Sequence, residues 1–159
     1  MKLYKWLENW DMTSLKINTP FLEMEWNPQT ADKDAAWEMY VELLTRVTTQ
    51  MLYSDEGDEL SSLKSIHELF EITRSIIKNY RRDCIQFAKI AVVILNQVVR
   101  PFTAKWHRLS ISGSFSQLSQ CVLFRQELLD LQNKMQIYAK MLADMAGVED
   151  LTELEKKTW

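Results

Sequence analysis

His67 is the nearest thing in this chain to a metal-binding or acid–base residue, since an imidazole titrates near neutrality and ligates metal ions. Glu71 follows four residues later, one helical turn on, so the two side chains share a face and can hold one proton or one cation between them. Glu68 points away from that pair. A carboxylate-bridged metal centre in a helical bundle needs inward-facing Glu and His from several helices, with Glu-x-x-His pairs among them. Glu38, Glu42, Glu127 and Asp130 offer carboxylates, but no such pair occurs, and His67 reads as a solvated or ion-paired histidine. Neither a G-x-S-x-G elbow nor an H-E-x-x-H helix is present. With 3 glycines in 159 residues, the backbone has little material for a nucleotide cradle. No catalytic residue, metal or cofactor is assigned.

Charge is the next source of chemistry. Residues 23–71 carry 12 acidic side chains against 3 basic, and residues 74–108 carry 8 basic against 1 acidic, so a net charge of −3 conceals a polarised chain. Arg74, Lys78, Arg81 and Arg82 form one basic group, and Arg100, Lys105, His107 and Arg108 a second. Both suit an acidic partner, a phosphorylated ligand or a nucleic acid. In an antiparallel helix pair they fall at opposite ends, which favours two small patches over one continuous stripe. The Ser/Gly-rich stretch 108–116 reads as a loop ending in a serine N-cap, or as an anion cradle at a helix N-terminus. Arg46 lies mid-helix among Thr45, Thr48 and Thr49, and Arg125 interrupts the apolar face of the fourth helix between Val122 and Leu129. Each is expected either to reach the surface or to form a core ion pair, with Glu42 or Glu71 as partners.

The elements that must carry these residues are helical. Few glycines and prolines favour long uninterrupted helices. Thr30 or Asp32 can cap a first helix, along which Trp37, Tyr40, Leu44, Val47 and Met51 make one apolar stripe. Asp58 caps a second, with Leu63, Ile66, Phe70, Thr73, Ile77 and Tyr80 on one face. A break at 81–83 precedes a third, broadly apolar helix that Pro101 should end or kink. The fourth is the most regular: Cys121, Phe124, Leu128, Leu131, Met135, Tyr138, Leu142 and Met145 recur at alternating three and four, and Gly147 closes it. Short connections between four long helices predict an all-α, antiparallel up-down-up-down four-helix bundle over residues 30–147. Residues 1–29 alternate polar and apolar around Leu15 to Trp26 and predict an extended, aromatic-rich arm, or a small hairpin, packed on the bundle. Residues 148–159 read as a loose tail or a short extra turn.

Composition bounds the setting. Cys84 and Cys121 stand at no metal or redox spacing and read as small hydrophobes in a reducing compartment, so a cytoplasmic protein is expected. Glu8 interrupts the start of the chain before a signal-sequence core develops. The apolar run Ile90–Leu95 is far short of the about 20 residues a bilayer crossing needs, so no membrane association is expected. The function ranked first is a non-catalytic interaction or regulatory subunit, acting as a homo-oligomer or within a larger complex. Its interface is expected at Val122, Leu129 and Ile137, beside the fourth helix's seam, and at Trp6 and Trp10 of the arm. A nucleic-acid or phosphorylated-ligand module using the basic helix ends ranks second, and a metal enzyme built in the bundle core third.

Overall fold

A computed structural model describes residues 1–155 apart from 54 and 56. The protein is all-α, and among the described residues there is no β-strand. Seven α-helices follow in order: α1 (Leu3–Asn9), α2 (Thr19–Leu22), α3 (Thr30–Leu44), α4 (Glu59–Tyr80), α5 (Ile85–Ile94), α6 (Arg100–Ile111) and α7 (Leu118–Ala146).

The N-terminal 29 residues are not an extended arm. Two short helices stand in them, and the pairing between their ends is limited to an isolated bridge, with the Leu3 amide donating to the Met24 carbonyl at 2.9 Å. The alternation around Leu15–Trp26 comes from turns that tuck every few residues inward. Trp6 is 3% exposed, stacks on Trp26 with ring centroids 4.5 Å apart, and donates its Nε1 proton to Asp144 at 2.8 Å. That bond ties α1 to the far end of α7.

Helix α3 begins at Thr30, so its cap lies one residue before the earlier of the two predicted caps, Thr30 and Asp32. Gln29 is the N-cap in a reciprocal capping box with Asp32. Asp32 is fully buried, and its second carboxylate oxygen accepts from the Phe87 amide of α5 at 2.9 Å. At its other end α3 stops at Leu44 instead of running to Met51. Thr45 donates to the Val41 carbonyl, Thr48 and Thr49 to that of Leu43, and Gln50 to that of Leu44, at 2.6–2.8 Å. Side-chain donors thus satisfy the last turn's orphan carbonyls, and the β-branched run has little reason to continue the helix. The buried face is Ala35, Ala36, Met39, Tyr40 and Leu43, and Trp37, assigned to the apolar stripe, is 44% exposed. Small residues face inward because α3 is pressed between α4, α5 and α7.

Asp58 caps α4 as expected, accepting from the Ser61 amide at 2.7 Å. Of the predicted turn at 54–58, residues 54 and 56 lie outside the described residues, and Gly57 takes φ +63°. Helix α4 ends where Arg81 adopts φ +58°, and a 3-10 turn (Arg81–Cys84) leads into α5. Pro101 does not end the helix that follows. The backbone stays helical through a wider π turn, Leu95–Val99, placed just ahead of the proline. Such a turn relieves the clash of the pyrrolidine ring with the preceding carbonyl. Read as one run, Glu59–Ile111 is long and apolar enough by length and composition to cross a membrane, yet half of its qualifying stretch is buried inside the protein.

Packing between helices is traced by side-chain pairs. Thr73 of α4 donates to Met39 Sδ of α3 at 3.5 Å, and Arg46 reaches Glu68 at 2.7 Å. Arg100 lies 4.7 Å over the Phe70 ring, and His107 faces His67. Lys105 of α6 pairs with Glu127 of α7 at 2.7 Å. Gln132 of α7, a buried polar residue on an otherwise apolar face, donates to the Val47 and Gln50 carbonyls at 2.7 and 2.8 Å. The described part of the tail is not loose: the Leu151 amide donates to the Tyr40 hydroxyl, and Lys140 pairs with Glu153 at 3.3 Å. Residues 156–159 lie outside the described residues.

Candidate interaction surface

Helix α7 has two unlike sides. Inward, Phe124, Leu128, Leu131, Met135, Tyr138, Leu142 and Met145 are buried, and Cys121 is half-buried at the upper end of the same seam. Outward, Leu118 is 81% exposed, Val122 50% and Leu129 42%. Steps of four and seven residues place these three on one stripe, because each returns to nearly the same angle on a 3.6-residue helix. Ile111, 76% exposed, lies just across the α6–α7 turn. Ser119, Gln126 and Asn133 are exposed around the stripe and uncharged, and Asp130 alone adds a formal charge to the exposed residues of α7 between Leu118 and Asn133. Arg125, which sits within the stripe, turns aside to the Tyr53 carbonyl at 2.7 Å and to Glu59 at 3.4 Å.

The turn that presents this face is rigidly built. Trp106 is fully buried and packs against Phe115 and Phe124 with centroids 5.8 and 5.2 Å away, and Phe102 stands 5.4 Å from Phe124. Stretch 108–116 is therefore mostly not a loop: α6 runs to Ile111 and a 3-10 turn covers Ser114–Ser116. Ser110, Ser112 and Ser116 donate their hydroxyl protons to the carbonyls of His107, Leu109 and Gly113 at 2.7–2.9 Å. Gln117, not a serine, is the N-cap of α7, with no side-chain capping bond.

The other sequence-derived interface residues divide. Trp6 is buried in the core, and Trp10 and Ile137 are half-buried and packed against it. The exposed Leu118 and Ile111 went unnoticed because each sits at a helix end, outside any repeating pattern.

Arg74, Lys78, Arg81, Arg82, Arg100, Lys105, His107 and Arg108 are all exposed. Lys105 is neutralised by Glu127, and Arg100 is bound to Asn96 at 3.0 Å. Phe70, beneath Arg100, is one turn from Arg74, so the two groups approach each other along the α4–α6 flank and only Arg81–Arg82 and Arg108 mark its ends.

His67 does not pair with Glu71. The α4–α6 packing sets it against His107, the other histidine of the chain, at a centroid distance of 6.4 Å. Glu71 belongs instead to an acidic cleft with Glu38, Glu42 and Glu68. Arg46 spans that cleft, bonded to Glu42 at 2.9 Å as well as to Glu68, and these carboxylates hold its guanidinium in the charged form against partial burial. No group of three or more His, Cys, Asp or Glu residues positioned to hold a metal ion occurs among the described residues.

The arrangement offers surfaces more than reacting groups. Compared with protein-family models, with curated proteins and with solved structures, the chain matches none.

Proposed function

We infer that this protein is a non-catalytic helical subunit that acts through protein–protein contact, with a second copy of itself as the partner of the α7 face. One observation carries the reading: an exposed apolar stripe, Leu118–Val122–Leu129, with Ser119, Gln126 and Asn133 exposed beside it and Arg125 turned aside, in a chain with 26% charged residues. Interface centres are depleted of charge in the same way, and apolar patches on soluble proteins mark binding sites. Two such stripes related by a twofold axis meet antiparallel, Leu118 against Leu129 with Val122 near the axis, which is a self-complementary isologous contact.

The frame we propose for it is an antiparallel up-down-up-down bundle of α3, α4, the continuous α5–α6 rod and α7, with residues 1–29 packed against it. Support comes from the descending register of the pairs Met39–Thr73 and Arg46–Glu68, and of Phe70–Arg100 and His67–His107. A reducing, cytoplasmic setting is proposed on the two free thiols, of which Cys84 is buried.

Light scattering on the purified chain tests the function. A dimer that becomes monomeric in Val122→Glu plus Leu129→Glu, with helical content retained, is the expected result. A strict monomer at all concentrations sinks it.

A second reading, an anion- or nucleic-acid-binding module, is favoured by a separate observation. Arg74, Lys78, Arg81, Arg82 and Arg108 make no ion pair among the described residues. Its mark would be binding to RNA or DNA that weakens steeply with salt and is lost in Arg81→Ala plus Arg82→Ala.

A further inference from the structure

An apolar groove of about 420 Å³ runs between the Lys16–Phe21 stretch and the outer side of α5, on a part of the molecule separate from the α7 stripe. Ile17, Phe21, Ile85 and Val92 are among its walls, and Lys16, Lys89 and Asn18 are its polar members. Phe21, Ile85 and Val92 are all exposed. Drug-sized ligands occupy sites of about 300–1,000 Å³ lined by apolar side chains with a few placed polar groups, and the groove meets that description.

Its wall is held in place independently of any occupant. The Lys16 amide donates to Gln97 Oε1 at 2.8 Å and the Gln97 side-chain amide returns a bond to the Lys16 carbonyl at 2.8 Å, clamping the N-terminal segment onto the π turn. No carboxylate lines the groove, although acidic residues outnumber basic ones in the chain, 22 to 19. Neither lysine forms an ion pair among the described residues. The Lys89 ammonium lies 3.2 Å from Gln86 Oε1 and 6.0 Å from the centroid of the Phe21 ring, at the apolar wall. Asn18 caps α2 through its backbone and makes no side-chain capping bond.

We propose that this groove binds a long-chain carboxylate, its alkyl chain along Ile17, Phe21, Ile85 and Val92 and its head between Lys16 and Lys89. The chemistry of the lining selects that class. The apolar walls suit an alkyl chain, and two lysines in a lining without a carboxylate call for an anion. No arginine is present to offer the planar fork that favours bidentate phosphate recognition. This inference does not rest on the interaction reading, and the two fail separately.

The probes are dodecanoate, dodecanol and dodecylammonium, titrated calorimetrically below their micelle-forming concentrations into the full chain. Dodecanoate should bind saturably at one per chain, and dodecanol should bind about ten-fold more weakly, the loss expected for a head group without charge pairing. Dodecylammonium should not bind. Lys16→Gln plus Lys89→Gln should remove the preference for the carboxylate while leaving dodecanol binding and the thermal melt unchanged, and Val92→Asp should abolish binding of both. Equal affinity for the three head groups, a carboxylate preference that survives the double lysine substitution, or absence of saturable binding would overturn the proposal. So would a Val92→Asp variant that changes the oligomeric state of a chain that binds no dodecanoate, since the groove would then be a contact between copies.

Discussion

Helices α3 and α7 pack against each other along much of their length, yet they are held in different ways. Helix α7 is positioned by apolar side chains, a seam from Phe124 to Met145, with Gln132 the one fully buried polar residue among them. Helix α3 also buries an apolar face, but directional bonds fix its ends. Asp32 anchors one end to Gln29 and Phe87, Thr48 and Thr49 close off the other, and Gln132 of α7 holds the segment that follows it. Apolar burial is non-directional, so a seam tolerates changes of shape that conserve volume. A buried carboxylate or amide has no such latitude, because an orphaned donor costs its full desolvation. One pair of neighbouring helices thus combines a tolerant element with an intolerant one.

Substitutions can break or sharpen that contrast. The largest effect is expected from Asp32→Leu, which keeps an apolar-compatible volume but strands the Phe87 amide. A loss of about 3–5 kcal/mol in urea unfolding is anticipated, from two charge-assisted bonds and one buried orphan. If the loss is under about 1 kcal/mol, directional anchoring of α3 is wrong. Next comes Gln132→Leu, which turns the polar exception of α7 into a continuation of its seam. Two carbonyls lose their donor, and a destabilisation of about 1–3 kcal/mol should appear, with faster hydrogen exchange at residues 45–50.

Leu128→Met on the apolar side should cost less than about 1.5 kcal/mol, since volume is nearly conserved. Were it to cost as much as Asp32→Leu, the two helices would not differ in kind.

The smallest effect at neutral pH belongs to Tyr80, where the nearby Glu38 carboxylate of α3 pushes the phenol's pKa up to about 12. Below the unfolded value of about 10 the phenol is protonated in both states, and the contact contributes in full. Between the two values the folded chain keeps a proton that the unfolded chain has lost, so stability falls as pH rises through that window. Ultraviolet titration of the protein against its Tyr80→Phe variant should show the late-titrating tyrosine, and Glu38→Gln should bring it down towards its ordinary value.

The same contrast separates what was legible along the chain from what was not. The α7 seam, the Asp58 cap, the break at 81–83 and the left-handed Gly147 that closes α7 could be read directly, because periodicity and capping involve residues within a few positions of one another. The end of α3 could not: TRVTTQ following an apolar stripe resembles more helix until its hydroxyls are seen bonded to the preceding carbonyls. For the candidate surface, Val122 and Leu129 stood out as surplus to the seam. Trp6 and Ile137 did not belong with them, since burial depends on what is packed above a residue and not on its type.

By itself, the order of residues determined that this protein is helical, where α4 begins and where α7 ends, and which side of α7 is apolar. Only the tertiary structure decided that His67 meets His107 and not Glu71, that Asp32 serves α5 as well as its own cap, and that an apolar groove with two lysines lies against α5. Each of these joins residues far apart in sequence, and such pairs are selected by the packing of whole helices, a free-energy balance that no short window of residues contains.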